Sequence, residues 1–127
     1  MISYVTLGVS DLAAAKKFYC ELFAEQGAKL LMDGERINFI GKNMAEPPML
    51  AICTPFNGEP ASVGNGSMIA FNQDSKDSVD AMYNKALALG ATCDGKPGER
   101  IPDVFYGAYV RDTDGNKLCF NHFLKAF

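Results

Sequence analysis

The chain has 127 residues, 48% hydrophobic and 21% charged, which suits one soluble domain with its own core and excludes disorder or a fibrous repeat. Twelve Lys and Arg against fifteen Asp and Glu leave a net charge of -3, so no broad basic surface is available for phosphates and nucleic acid is excluded as a partner. The start Met1-Ile2-Ser3-Tyr4 lacks a basic run and a long apolar stretch, and no window approaches the ~18 apolar residues of a spanning helix. The expectation is a cytoplasmic protein with no membrane partner.

The first element is a strand of alternating character, Tyr4-Val5-Thr6-Leu7-Gly8-Val9. A helix follows Ser10-Asp11, either of which can cap its free N-H groups, and runs to about Ala24, with Leu12, Ala15, Tyr19, Leu22 and Phe23 as its buried stripe. Gly27 ends it. Strand candidates follow at Lys29-Met32, Arg36-Ile40 and Met49-Thr54, and then Phe56 to Gly66 has the composition of a linker.

The second half repeats this order. A strand at Met68-Ile69-Ala70-Phe71-Asn72 leads to a helix beginning after Asp74, with Val79, Met82, Tyr83, Ala86 and Leu89 as its stripe and Gly90 as its stop. Further strands are expected at Ala91-Cys93, Tyr106-Val110 and Lys117-His122. Between the first two of these, Asp94 to Asp103 reads as a long polar loop with two prolines.

Tyr19 and Tyr83 are 64 apart, as are Tyr4 and Met68, and Ser10 and Asp74. Gly27 and Gly90 are 63 apart, so one residue is gained or lost in the helix. The chain therefore reads as two tandem βαβββ modules in one α+β domain, with module 1 at about 1–56, a linker at 57–66 and module 2 at about 67–127.

Asp112-Thr113-Asp114-Gly115-Asn116 is a hairpin turn, with Gly115 supplying positive φ. Its glycine comes too early for a calcium loop, and strands rather than helices flank it. Cys20, Cys53, Cys93 and Cys119 form no C-x-x-C pair and read as reduced thiols.

Three stretches carry a resemblance: Tyr4 to Leu12 leading to Phe18-Tyr19, Gly64 to Phe71, and Tyr109 to Leu118. Together they resemble the glyoxalase, bleomycin-resistance and extradiol-dioxygenase superfamily, also called vicinal oxygen chelate. The resemblance implies a curled, mostly antiparallel mixed sheet around a central cavity, helices outside, in a homodimer. It also implies a small-molecule ligand and, in the enzymes, a divalent metal acting as Lewis acid.

The metal is held in such enzymes by a histidine in each module's first strand and a glutamate in the last strand. Carried over, these fall at Tyr4, Met68 and Cys119, and a further glutamate of some glyoxalases falls near Ile52. Phenol, thioether and thiol suit hard or borderline cations poorly, so no metal and no cofactor is expected. His122, the only histidine, lies an odd three residues from Cys119 and so on the other face of the strand.

The same alternation turns Tyr4, Thr6 and Gly8, Met68, Ala70 and Asn72, and Lys117, Cys119 and Asn121 toward the cavity. Val5, Leu7, Ile69, Phe71, Leu118 and Phe120 turn toward the helices. Ligand-contact candidates are Tyr4, Thr6, Arg36, Met68, Asn72, Cys119 and Asn121, joined by Arg100 and Tyr106 from the segment that the resemblance puts near the pocket mouth. The reading is a metal-free protein that binds a small, partly aromatic molecule. The alternative is a lyase or dioxygenase-type enzyme with a changed catalytic set, using Tyr4 as general acid or Cys119 as nucleophile.

Overall fold

A computed structural model describes residues 1–126, in two compact units that divide between Val63 and Gly64. The first unit runs β1 (Tyr4–Gly8), α1 (Leu12–Phe23), a short 3-10 turn (Ala24–Gln26), β2 (Lys29–Asp33), β3 (Ile37–Gly41) and β4 (Met49–Cys53). The second runs β5 (Ile69–Asn72), α2 (Lys76–Ala88), β6 (Thr92–Ile101), β7 (Phe105–Arg111) and β8 (Lys117–Phe123). Each unit is one βαβββ module.

The two sheets have the same topology. Their orders are β1-β4-β3-β2 and β5-β8-β7-β6, each with a parallel pair between its first and last strand and antiparallel pairs elsewhere. The order follows from chain connectivity. A helix carries the chain from the first strand to the far edge, and two antiparallel returns bring the last strand back beside the first. The last strand is thus central, and β4 is buried from Met49 to Ile52 and β8 from Leu118 to Asn121.

The caps follow the sequence with one correction. Asp11 caps α1, its carboxylate accepting from the Ala14 N-H at 3.0 Å. The cap of α2 is Ser75, not Asp74, because Ser75 is extended and its hydroxyl accepts from the Ser78 N-H at 3.0 Å. Asp11 and Ser75 are themselves 64 apart, so the duplication holds at the helix starts.

It holds along the buried stripes too, where Ala15, Phe18, Tyr19 and Leu22 correspond to Val79, Met82, Tyr83 and Ala86. The lost residue lies in the closing turn, where Ala28 N-H reaches Phe23 and Ala91 N-H reaches Ala86, both pairs 63 apart. Gly27 at φ 82° and Gly90 at φ 111° close the two helices in the left-handed region.

Within each unit the helix covers one face of the sheet. In the first, Ile40, Leu50 and Ile52 lie under α1; in the second, Ala108, Val110, Leu118 and Phe120 lie under α2. Tyr106, on the same face as Ala108, ties β7 to the helix by donating its hydroxyl to the Asp80 carboxylate at 2.6 Å. His122 also lies on this face, its Nδ1 donating to the Gln73 carbonyl at 2.9 Å.

The segment from Asp94 to Asp103 is not a loop. Its residues from Asp94 to Ile101 belong to the ten-residue strand β6, paired with β7 from Thr92–Arg111 to Ile101–Phe105 with three register shifts. β6 is the edge of its sheet, where Pro97 leaves no central ladder unsatisfied and bulges absorb the irregular sequence. Only Pro102 to Val104 turns the chain, closed by the Val104 N-H to the Ile101 carbonyl at 3.0 Å.

The β7–β8 turn is built on one buried carboxylate. Asp112 accepts from the backbone N-H of Asp114 and Asn116 and from the Asn116 side-chain amide, at 3.0, 2.8 and 2.9 Å. Gly115, at φ 87°, completes it.

Asp112→Ala strips three donors of their acceptor, and the expected cost is about 2 to 3 kcal/mol in urea denaturation, with Asp112→Asn losing less because one oxygen remains. Tyr106→Phe is expected to cost about 0.5 kcal/mol near neutral pH. The Asp80 carboxylate that accepts its hydrogen bond pushes the Tyr106 hydroxyl up to about 12, so the folded state holds this proton more tightly than the unfolded chain. The difference between Tyr106→Phe and the parent should therefore be full below about pH 10 and shrink as the pH rises toward 12.

Candidate functional site

The helix-free face of each sheet carries the side chains that alternation turns away from the helix. In the first unit, Tyr4 and Thr6 share this face with Phe39 and Ala51, and the Tyr4 ring stands edge-on to Phe39 with centroids 4.9 Å apart. Arg36 lies just before β3, where its guanidinium donates to the Thr54 carbonyl at 3.0 Å and sits 5.3 Å from the exposed Phe56 ring.

The pairing pattern narrows the position near Ile52 to its neighbor. Ile52 is buried on the α1 face, and the residue that pairs in the first sheet as Cys119 does in the second is Ala51. A methyl group stands where a ligating side chain would be needed.

In the second unit the helix-free face is better furnished. Unbroken pairing of β7 with β8 sets Phe105 opposite Phe123, Gly107 opposite Asn121, Tyr109 opposite Cys119 and Arg111 opposite Lys117, and β5 adds Ala70 and Asn72. Met68 precedes β5 and is exposed. Of the residues singled out from sequence, Asn72, Cys119 and Asn121 are brought to one face, and Arg100 joins them over Tyr109. Tyr106 is not brought there, because its hydroxyl bonds to Asp80 of α2 on the opposite face.

Tyr109 is the center of this face and was not among the expected contacts. Its ring lies 5.3 Å from the Arg100 guanidinium and 5.2 Å from the Lys117 ammonium. The signal for it was available in the antiparallel pairing, since the residue opposite Cys119 must share its face.

Burial, then the charge that Cys119 would carry when ionized, and last a hydrogen bond shared with Cys119 push the Tyr109 hydroxyl up against the Arg100 charge. Burial likewise pushes the Cys119 thiol up to about 11, outweighing the Tyr109 hydrogen bond and the nearby Lys117 and Arg100 charges. The Cys119 residue has 0% exposure. This is a protonated thiol, neither a ready nucleophile nor a ready anionic ligand.

Asp94 sits between two cations, 3.0 Å from Arg111 and 3.4 Å from Lys117. Burial acts to raise its carboxyl, but those two charges and their hydrogen bonds prevail and hold it below the usual range.

Among the described residues no three His, Cys, Asp or Glu side chains gather where they could hold a metal ion. Taken one by one, the residues to which the resemblance carries the metal ligands are the phenol Tyr4, the thioether Met68 and the buried protonated thiol Cys119, none of them a donor that suits a hard or borderline divalent cation. No helix is long and apolar enough to cross a membrane.

The model of the Glyoxalase/Bleomycin resistance protein/Dioxygenase superfamily matches residues 1–120. A crystal structure of a glyoxalase/bleomycin resistance protein from Albidiferax ferrireducens T118 is 38% identical, covering 96% of this chain and 98% of that one with a TM-score of 0.83. Lactoylglutathione lyase from Agrobacterium tumefaciens is 25% identical over 96% of this chain and 92% of that one, with a TM-score of 0.69. A glyoxalase-related enzyme from Fulvimarina pelagi, at 22% identity, 96% and 87% coverage and a TM-score of 0.76, shares the fold. No curated protein sequence matches the chain. Matched over nearly its whole length, the chain belongs to the glyoxalase/bleomycin resistance/dioxygenase superfamily.

Proposed function

We propose that the chain is a small-molecule binding member of this superfamily, working as a homodimer, that takes a partly aromatic ligand on the helix-free face of its second sheet without a metal ion. The observation that carries this reading is the Tyr109–Cys119 pair. At the position of the family's last-strand glutamate stands a fully buried thiol, which packs against an aromatic ring and has no charge to offer a cation.

The same face supplies what a small ligand needs. Tyr109, Phe105 and Phe123 give ring surface, and the Asn72 and Asn121 amides give groups that can orient a polar substituent. Binding here requires no acid or base.

A second reading, an enzyme of lyase or dioxygenase type with a changed catalytic set, draws support from the likeness to the Agrobacterium lyase. It would need Tyr4 as general acid or Cys119 as nucleophile. Burial of the Cys119 thiol works against the latter role.

A thermal-shift screen of aromatic antibiotics and glutathione conjugates is expected to yield ligands that raise Tm, with titration calorimetry giving the same Kd in the presence and absence of EDTA. Elemental analysis of the purified protein is expected to find far less than one equivalent of Ni, Zn, Fe or Mn per chain. Binding abolished by EDTA, or a full equivalent of metal, would overturn the metal-free reading.

The thiols offer a separate check. Cys93 is exposed, and hydrogen bonds from the Tyr83 hydroxyl and then the Gly95 backbone lower its thiol below the ordinary range. Iodoacetamide at neutral pH is expected to alkylate Cys93 rapidly and leave Cys119 intact in the folded protein, with Tyr83→Phe slowing the Cys93 reaction. Mass spectrometry of the digested protein reads both rates. Fast alkylation of Cys119 would favor the enzyme reading.

A further inference from the structure

We propose that the ligand is an organic acid whose anionic group docks on Arg100 at the Tyr109 end of the helix-free face, with its aromatic part on Phe105 and Phe123. This rests on the binding reading above and names the chemical class of the ligand.

Arg100 is held by the irregularity of its own strand. β6 shifts register against β7 three times, between Cys93 and Gly95, Gly95 and Gly98, and Glu99 and Ile101. Two glycines stand among those shifts, and the space their missing side chains leave is filled by one guanidinium. A Cβ at Gly98 would lie 2.8 Å from Arg100 Nη1. One at Gly95 would lie 3.3 Å from Arg100 Nη2 and 2.8 Å from Tyr109 Cδ2. The guanidinium donates to the Lys96 carbonyl within the same strand and lies against the Tyr109 ring. Bulges and glycines both weaken a strand, and here they form a seat that fixes one cation over one ring.

The neighboring cations of this face have carboxylate partners. Lys117 and Arg111 share the Asp94 carboxylate, and Lys76 pairs with Glu99. Arg100 has no carboxylate within ion-pair distance among the described residues. Asp94 thus answers Arg111 and Lys117, while Arg100 shares the Tyr109 ring with Lys117 and has no such partner among the described residues. A seated, exposed guanidinium whose planar donors are not committed to a carboxylate fits a carboxylate or similar oxyanion.

Aromatic rings lie next along the strand. At Gly107 a Cβ would meet the Phe105 ring at 2.6 Å, so that ring lies over Gly107, on the Tyr109 side of its own residue. Phe105 in turn stands edge-on to Phe123 at 5.2 Å between centroids. The face thus grades from cation to aromatic surface within the reach of one small molecule.

The test uses benzoate, 2-naphthoate and indole-3-acetate, each against its neutral primary amide, by calorimetry and thermal shift on the full chain. At least one acid is expected to bind at least tenfold tighter than its amide, with affinity falling as salt rises. Arg100→Gln should abolish that preference, costing the acid at least tenfold more affinity than its amide, whereas Arg100→Lys should restore part of it. Lys117→Gln should reduce it less, because Lys117 is shared with Asp94. An acid and its amide binding equally, or an acid preference that survives Arg100→Gln, overturns the anion assignment and leaves the binding function standing. Failure of the acids, the amides and the wider aromatic screen alike removes the binding function itself.

Discussion

A four-stranded sheet has two faces, and each unit of this protein supplies one helix to cover them. That constraint divides every strand by parity. Residues of one parity meet the helix and are selected for packing, as Leu118, Phe120, Ala108 and Val110 are against Val79, Met82 and Ala86. Residues of the other parity are released from that duty, and in the second unit they are Tyr109, Lys117, Cys119, Asn121 and Arg111. Chemistry collects on this face because it is the one on which the apolar filling of the helix layer is not required.

Strand position within the sheet adds a second gradient. The central strand β8 lies between two neighbors and is buried on both faces through its middle, so its residues are small, apolar or amide. The edge strand β6 pairs on one side only, and it tolerates Pro97, Gly95, Gly98 and three breaks in register that a central strand could not. An arginine on such a strand can be set at an angle the regular pleat does not allow. The irregularity that weakens β6 as a strand makes it useful as a mount for Arg100.

Much of this was legible in the sequence because it follows from short-range rules. The 64-residue offset shows when the chain is compared with itself, and the glycines that end both helices and the parity that separates Cys119 from His122 depend on neighbors within a turn or a strand. What was hidden depends on partners far along the chain. Asp94 to Asp103 has the composition of a loop, and only its pairing with β7 makes it a strand. Tyr109 matches no ligand position of the family, and its place comes from standing opposite Cys119 between cations from two other strands. The choice of Ser75 over Asp74 as cap turned on a single residue's backbone angle.

The duplication itself shows how one scaffold position can be put to two uses. Phe39 pairs with Ala51 as Tyr109 pairs with Cys119, so both sheets present an aromatic ring at the same place on the helix-free face. In the first unit that ring is met by another ring, Tyr4, and in the second by a guanidinium and an ammonium. Aromatic contact is non-polar and needs no counter-charge, whereas a cation held on a ring keeps its demand for an anion largely unmet, since the ring offers only its quadrupole. Asp94 answers that demand for Lys117 and Arg111. Arg100 is left with a backbone carbonyl and the ring, and that unanswered charge is the feature by which the second unit differs most in chemistry from its twin.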